Sequence, residues 1–411
     1  MPEFDWDAIV IGAGAAGLMA AIHAGERGRR VLLLEKGKKP GVKILMSGGT
    51  RCNITHDCDA RGIVAAFGPN GKFLHSALAC LGPRETVAFF ESEGVATKIE
   101  ETGKIFPVSN RAVDVLDALL SRLRRGTAVL SLNEAAQDIQ PNPDGGIRVV
   151  TSTRTMTAAK VLLTTGGKSY PGCGTTGDGY GFAMRFGHSI VATKPALVPL
   201  TVQPAWVGEL RGITLPEVNL KVIENGKPLT SRRGSMLFAH FGLTGPAPLD
   251  VSRAVSAHPA PRTLTLEVDL LPTVPEQAVD DFLRTESLAS GKKQLAVVLA
   301  EKLPRRMADQ LLMLGGHALD RKAAALCKPD RLLLVGFIKR LQLPLRGTLG
   351  FEKAEVTAGG VNLAEVDSRT MQSKLAPNLY LAGEVLDLDG WIGGYNFQSA
   401  WSTGWLAGHE L

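Results

Sequence analysis

Asp7-Ala-Ile-Val-Ile-Gly12-Ala-Gly14-Ala15-Ala16-Gly17-Leu18 is the stretch whose reading decides the architecture. Asp7 to Gly12 is a short apolar run, the composition of a parallel strand buried on both faces. Beyond the glycines, Leu18, Ala21 and Ile22 repeat at helical spacing, so a helix is expected from Leu18 to Arg27, closed by Gly28. Arg30-Val-Leu-Leu-Leu-Glu35 reads as the next strand. Each fingerprint glycine has its own task. Gly12 makes a tight turn, Gly14 lets a pyrophosphate approach the backbone, and Gly17 lets helix and strand pack closely. The phosphates would meet the first helical turn, at Ala15 and Ala16, where free N–H groups and the helix dipole favour an anion. Glu35, followed by Lys36, ends the second strand, placed to accept from an adenosine ribose and to repel a 2′-phosphate.

The fingerprint serves NAD and FAD alike, and distant segments favour FAD. Leu379-Tyr-Leu-Ala-Gly383-Glu384 is an apolar strand running into Gly-acid, and Gly390-Trp-Ile-Gly393-Gly394-Tyr395-Asn396 leads into a helix expected from Phe397 to Glu410. Glu384 would accept ribityl or ribose hydroxyls. The helix start near Gly394, Tyr395 and Asn396 would face the pyrimidine edge of the flavin, its dipole favouring the anionic reduced ring. Val161-Leu-Leu-Thr-Thr165-Gly166-Gly167 is a further strand ending in glycine, with Thr165 and Gly166 at the cofactor. Gly172-Cys-Gly174-Thr-Thr-Gly177 matches the fingerprint formally. Lys168 to Pro171 separate it from the strand, however, so it reads as a wall beside the flavin. No separate nicotinamide domain is evident, which leaves the electron donor open between NAD(P)H and another reductant.

Lys43-Ile-Leu-Met-Ser47-Gly48-Gly49-Thr50-Arg51-Cys52-Asn53 is where the chain should cross toward the isoalloxazine. Ser47, Gly48 and Gly49 permit close backbone approach. Arg51 could bind pyrophosphate or an anionic substrate, and Asn53 could hydrogen-bond the ring edge. Cys52 is the thiol expected near the flavin. It reads as a small buried residue, as a general acid that protonates a substrate carbon, or as one half of a disulfide with Cys58.

Composition bounds the rest. The chain has 411 residues, 45% hydrophobic and 21% charged, the profile of a globular protein with two or three domains. No apolar run is long enough to span a membrane, the five cysteines show no metal-ligand spacing, and a cytoplasmic protein without a metal is expected. The net charge of +6 is unevenly placed: residues 191–349 carry 21 Lys/Arg against 14 Asp/Glu, and the remainder is close to neutral. A basic module beside a neutral one suggests a polyanionic partner, though a merely solvated basic surface gives the same count.

Several long motifs resemble the YhiN-like (BaiN-like) bacterial flavoproteins, in order along nearly the whole chain. They are Ser47 to Asn53, Thr165 to Pro171 with Thr176 to Tyr180, Phe238 to Pro246, Val356 to Val361, and Ala382 to Gly390 with Gly393 to Trp401. Two positions depart from the family pattern: Thr50, where a third glycine is common, and Cys173. The resemblance implies an α/β fold with a discontinuous Rossmann-like FAD-binding domain that carries an insert. It also implies reduction of an activated C=C bond, in ribosomal RNA uridine or in an unsaturated keto-steroid.

The expected division is residues 1–190 and 350–411 for the FAD domain, 191–271 for a β-rich subdomain, and 272–349 for a small helical basic subdomain. Leu215–Ile223 and Thr263–Leu270 alternate as antiparallel strands, and Asn225-Gly226 marks a hairpin. Phe238 to Pro246 reads as a loop returning toward the active site, with His240 a second candidate proton donor. Residues 275–340 hold paired cations and two Phe but no Tyr or Trp, so any RNA contact would run through phosphates. Three functions are compared: hydride transfer to uridine in ribosomal RNA, reduction of a small enone, and a flavin-containing binding protein without turnover.

Overall fold

In a computed structural model, described for residues 4–411, the chain divides into two compact units. The first comprises residues up to Pro195 and from Ala354, the second Ala196–Lys353. Each is a fold with its own buried core.

The first unit is built on a mixed sheet. Its order is Val129–Ser131, Val31–Leu34, Trp6–Ile11, Thr155–Leu163, Ile147–Thr151, Ala136–Pro141. The first four strands run parallel and the last two antiparallel. Ala8 to Ile11 and Val31 to Leu34 are buried throughout, because both faces of this part of the sheet are covered. The strand Thr155–Leu163 has one edge shared by two partners. Its first half pairs with Ile147–Thr151, while Val161 to Leu163 pair in parallel with Leu379 to Leu381. The segment carrying Gly383 and Glu384 thus returns to the sheet on the far side of Thr155–Leu163 from the N-terminal strand.

The helix after the fingerprint, Ala15–Glu26, packs on the C-terminal helix Tyr395–Glu410 with the backbones nearly touching. A Cβ on Gly404 would lie 2.3 Å from Ala16 O, and one on Gly408 would lie 2.5 Å from Ala20 O. Small residues on both helices make this approach possible.

The second unit is a closed antiparallel barrel in the order Leu200–Val202, Gly242–Thr244, Lys227–Ala239, Thr214–Glu224, Thr265–Asp269, Leu341–Thr348. Asn225 and Gly226, at φ 48° and 76°, make the tight turn of the long hairpin. Val218, Leu220, Val222, Met236 and Phe238 alternate into its core. Helices Glu276–Ala289, Leu295–Leu299, Arg305–Leu314 and Lys328–Arg340 follow. Two features differ from the expected layout. Leu341–Thr348 lies in the stretch expected to be helical, yet it closes the barrel, its burial alternating from Leu341 to Leu345. The stretch Phe238 to Pro246 is not an open loop: Phe238 pairs with Leu243 across a hairpin whose turn is His240-Phe241.

Candidate flavin site

The three fingerprint glycines meet three different surroundings. Gly12 has φ 108°, and a Cβ there would lie 2.6 Å from Thr164 O. A Cβ on Gly17 would lie 1.9 Å from Gly12 O. A Cβ on Gly14 would meet nothing within 4 Å beyond its own turn and helix. The outer glycines are therefore required by packing, and the middle one faces open space at the N-terminus of the helix, where a pyrophosphate fits. This cradle suits FAD.

Glu35 accepts from Ala13 N at 3.1 Å and from Gly37 N at 2.7 Å, so its carboxylate also braces the fingerprint turn. Lys36 points to the Thr175–Asp178 region: its Nζ lies 2.5 Å from Asp178 Oδ2 and 2.7 Å from Thr176 Oγ1. Burial works against the Asp178 charge, but these hydrogen bonds hold its carboxyl below the usual range. The Gly172–Gly177 run thereby becomes a wall closed by an ion pair. Its backbone is one short turn at Pro171–Cys173 leading into the helix Asp178–Arg185, and no strand feeds it directly. Thr165 is packed under that helix. A Cβ on Gly179 would lie 2.0 Å from Thr165 Oγ1, a buried hydroxyl without a hydrogen-bond partner in the described residues. Gly166, beside it at φ 70°, packs against Thr175.

The loop after Lys43 is strained. The helix Val42–Thr50 breaks at Ser47, and Gly48, Gly49 and Thr50 are left-handed in succession at φ 56°, 67° and 69°. Cys52 is left-handed as well, at φ 60°. Two glycines accept this geometry; Thr50, branched at Cβ, does not accept it easily. Ser47 to Thr50 are accessible, with Ser47 Oγ donating to Ile44 O at 2.9 Å.

The next residues are zipped to the C-terminal segment, which explains several side chains expected at the flavin. With its amide oriented to satisfy both ends, Asn53 donates to Thr55 O and Ile105 O and accepts from Gly394 N at 3.0 Å. His56 Nδ1 lies 2.9 Å from Gly393 O, and its ring stacks on Tyr395 at 4.6 Å. Trp401 Nε1 donates to Ile54 O, and Thr55 donates to Gln398. A Cβ on Gly394 would lie 2.5 Å from Thr55 O. Asn396 is directed to its own loop, donating to Gly390 O and Trp391 O and accepting from Gly390 N. Asn53 and Asn396 therefore shape the wall with their amides rather than offering them to the ring edge. Arg51 is likewise engaged: its guanidinium lies 4.0 Å above the Phe106 ring and pairs with Glu100 at 2.6 Å, away from the role expected of it at the pyrophosphate.

Between these two ends sits a polar cluster that composition did not reveal. Lys43 Nζ contacts Glu384 Oε2 at 2.6 Å and Ser169 Oγ at 2.7 Å. Glu384 Oε1 accepts from Ser169 Oγ at 2.7 Å and from Thr357 N at 2.8 Å, and Thr357 Oγ1 accepts from Lys168 N and Ser169 N. Gly383, at φ 76°, brings this cluster against Ala16 of the fingerprint helix. Glu384 is thus held by three other segments of the sequence, those of Lys43, Ser169 and Thr357. The signal for Lys43 lay in the sequence, as a lone cation ahead of Ser47, but its partner is more than three hundred residues away.

Cys52 is completely buried, and burial pushes its thiol up to about 12. A group so placed does not reach a substrate carbon, so the small-buried-residue reading is the one its surroundings fit. All five cysteines are free, which corrects the disulfide alternative with Cys58. The thiol near the accessible face is Cys173 instead, its Sγ 3.2 Å from Met46 Sδ on the strained loop. His240 is exposed in the barrel hairpin of the second unit, its ring edge-on to Phe241. Among the described residues, no group of His, Cys, Asp or Glu could hold a metal, and no helix is long and apolar enough to cross a membrane.

Known proteins share this arrangement. Residues 6–410 match the family description "HI0933-like protein Rossmann domain". The chain is 36% identical over 409 residues to a ribosomal RNA dihydrouridine synthase of Escherichia coli K12, covering 99% of this chain and 98% of that protein. It is 32% identical over 410 residues to a 3-dehydro-bile acid delta(4,6)-reductase of Clostridium scindens, covering 97% of both. Among solved structures, a 3-ketosteroid-delta4-(5alpha)-dehydrogenase from Rhodococcus jostii RHA1 superposes with a TM-score of 0.55 at 16% identity, over 100% of this chain and 98% of that one. This last likeness speaks to the fold.

Proposed function

The chain belongs to the HI0933-like Rossmann family and is an FAD-dependent oxidoreductase, and from that premise we propose that it reduces uridine in ribosomal RNA to dihydrouridine. Bound and reduced, FAD supplies the hydride for a conjugated C=C bond. The residues that hold it are Gly12, Gly14, Gly17 and the first helical turn at the pyrophosphate, Glu35 at the adenosine ribose, and Glu384 at the ribityl chain. Ser47, Gly48 and Gly49 offer backbone to the ring. Lys43 holds one oxygen of Glu384, and Ser169 and Thr357 fix the other. A uracil accepting hydride at C6 needs a proton at C5, and His240 is the exposed candidate for supplying it.

The observation that carries the choice of substrate is the placement of charge. The second unit has 21 Lys/Arg against 15 Asp/Glu, the whole of the +6 surplus, and the first unit is neutral. A bile acid presents one carboxylate, which one or two cations satisfy. A surplus spread over an entire unit suits a polyanion. The full-length similarity to a ribosomal RNA dihydrouridine synthase supports the same reading. The reading of a small enone as substrate is supported by the bile acid reductase, at only slightly lower identity.

The test uses purified holoprotein, a chemical or enzymatic reductant, and two substrates: ribosomal RNA from a strain lacking dihydrouridine, and an unsaturated 3-oxo steroid. Dihydrouridine at a defined position, detected by reverse-transcription stops or mass spectrometry, is the expected product. Steroid turnover with no change in the RNA would replace this reading with the second. In the same assay His240→Asn should lower turnover by about 100-fold or more if the imidazole is the acid, while Cys52→Ala should change it less than about threefold.

A further inference from the structure

One groove is lined by residues of the second unit alone. It encloses about 630 Å³ between the short helix Trp206–Glu209, the Lys328–Arg340 helix and the start of the strand Leu341–Thr348. Trp206 and Phe337 line it together with Leu332 and Leu333, and Arg340 and Gln342 stand at its polar end. Sequence separates the two aromatic rings by more than one hundred residues, so the basic stretch read alone shows no stacking platform. Folding brings both rings to one groove.

Four observations bear on what occupies the groove. Leu332 and Leu333 are 51% and 43% exposed, an apolar pair on the surface of the unit that carries all the excess positive charge. Arg340 is paired with Glu276 through two guanidinium nitrogens, but both side chains are about half accessible, so its remaining N–H groups face a phosphate without the pair having to break. Arg346 is also exposed and donates to Gln203 O at 3.2 Å, one residue from Pro204 of the groove wall. Finally, Gly336 lies inside the Lys328–Arg340 helix and lines the groove, yet nothing lies within 4 Å of where its Cβ would be. A mid-helix glycine is unfavourable, and here no packing contact within the protein requires it. It leaves room for something that comes close to the helix backbone. Flat apolar rings beside exposed guanidinium groups match an unpaired nucleotide, whose base stacks and whose phosphate is anionic.

We propose that this groove binds the bases of a single-stranded RNA segment, stacked on Trp206 and Phe337 with their phosphates at Arg340 and Arg346. The proposal rests on the reading of ribosomal RNA as substrate and gives the second unit a recognition role in it. The groove would grip nucleotides flanking the target, so affinity would depend on unpaired structure more than on sequence.

The test fills the groove in one variant and strips a ring from it in another. Gly336→Leu projects a side chain into the open space, and Phe337→Ala removes one ring; flavin absorbance and thermal midpoint report that each variant is folded. Binding is measured by anisotropy of a labelled oligouridylate of about twelve nucleotides, single-stranded or annealed to its complement. Dihydrouridine formation is measured in parallel on protein-free ribosomal RNA. We expect single-stranded RNA to bind wild type at least tenfold tighter than duplex, and both variants to lose tenfold or more in affinity and in kcat/KM on RNA. Variants that bind and convert RNA as wild type does would overturn the groove and leave the substrate reading standing. Equal binding of duplex would overturn stacking. Wild type that neither binds nor modifies RNA would remove the substrate reading and the groove with it.

Discussion

Thr50 is the residue at which the candidate site holds the most local strain. It follows two left-handed glycines and takes φ 69° itself, a conformation in which a branched Cβ crowds its own backbone. Thr50→Gly should therefore stabilise the holoprotein by about 1 kcal/mol, the left-handed penalty of a non-glycine residue less the entropy that glycine loses on folding. Chemical denaturation checks it, and a lower midpoint would mean that the Thr50 Oγ1 bond to Gly49 O outweighs the strain. The fingerprint glycines were legible in the sequence because their tasks are local: each tests only a few ångströms of its own turn. Asn53, Asn396 and Arg51 were legible as polar residues near the flavin but not as to their partners. The partners of Asn53 and Arg51, Gly394 and Glu100, are set by how distant segments dock, and that of Asn396, Gly390, by the turn of its own loop.

At the scale of elements, the pairing of the fingerprint helix with the C-terminal helix is the contact on which the cofactor site depends. Gly404→Ala would push a methyl to 2.3 Å from Ala16 O, backbone against backbone with no flexible side chain to yield. A loss of about 1–3 kcal/mol is expected, together with weaker FAD retention, since Ala16 lies in the first helical turn proposed to hold the phosphates. Fluorescence of released flavin after gel filtration measures the second effect. The same helix pair buries His23 against Trp405, ring centroids 3.8 Å apart. Burial, assisted by His409 and Arg27, lowers the His23 pKa from 6.5 to about 4. The unfolded chain therefore takes up a proton that the folded chain refuses. Stability from this site is complete above about pH 6.5 and falls as pH drops toward 4. His23→Gln should flatten that limb of a urea-midpoint profile relative to wild type; profiles that stay parallel between pH 4 and 6.5 would exclude it. Among elements, the barrel hairpin at Asn225-Gly226 was readable from its turn chemistry. The closing strand Leu341–Thr348 was not. Pro344 weakens a strand pattern, and the strand follows a helix with no turn residue between, Arg340 ending one and Leu341 starting the other.

For the whole molecule, charge and chemistry are divided between two units. If the basic unit holds RNA, raising salt from 50 to 200 mM should lower kcat/KM on ribosomal RNA by tenfold or more, because each neutralised phosphate releases counterions. Turnover of an uncharged enone by the same preparation should change little. A salt response equal for both substrates would place the effect in the flavin unit. The sheet of that unit has a consequence for how the protein is made. Val161 to Leu163 wait with one flank uncovered until Leu379 to Leu381 have left the ribosome, more than two hundred residues later. During that interval the nascent chain carries an incomplete nucleotide fold, and Glu384 has not yet been translated. Loading of the yellow cofactor is thereby tied to late synthesis, and an interrupted translation product would be recognisable to the cell by its bare strand edge.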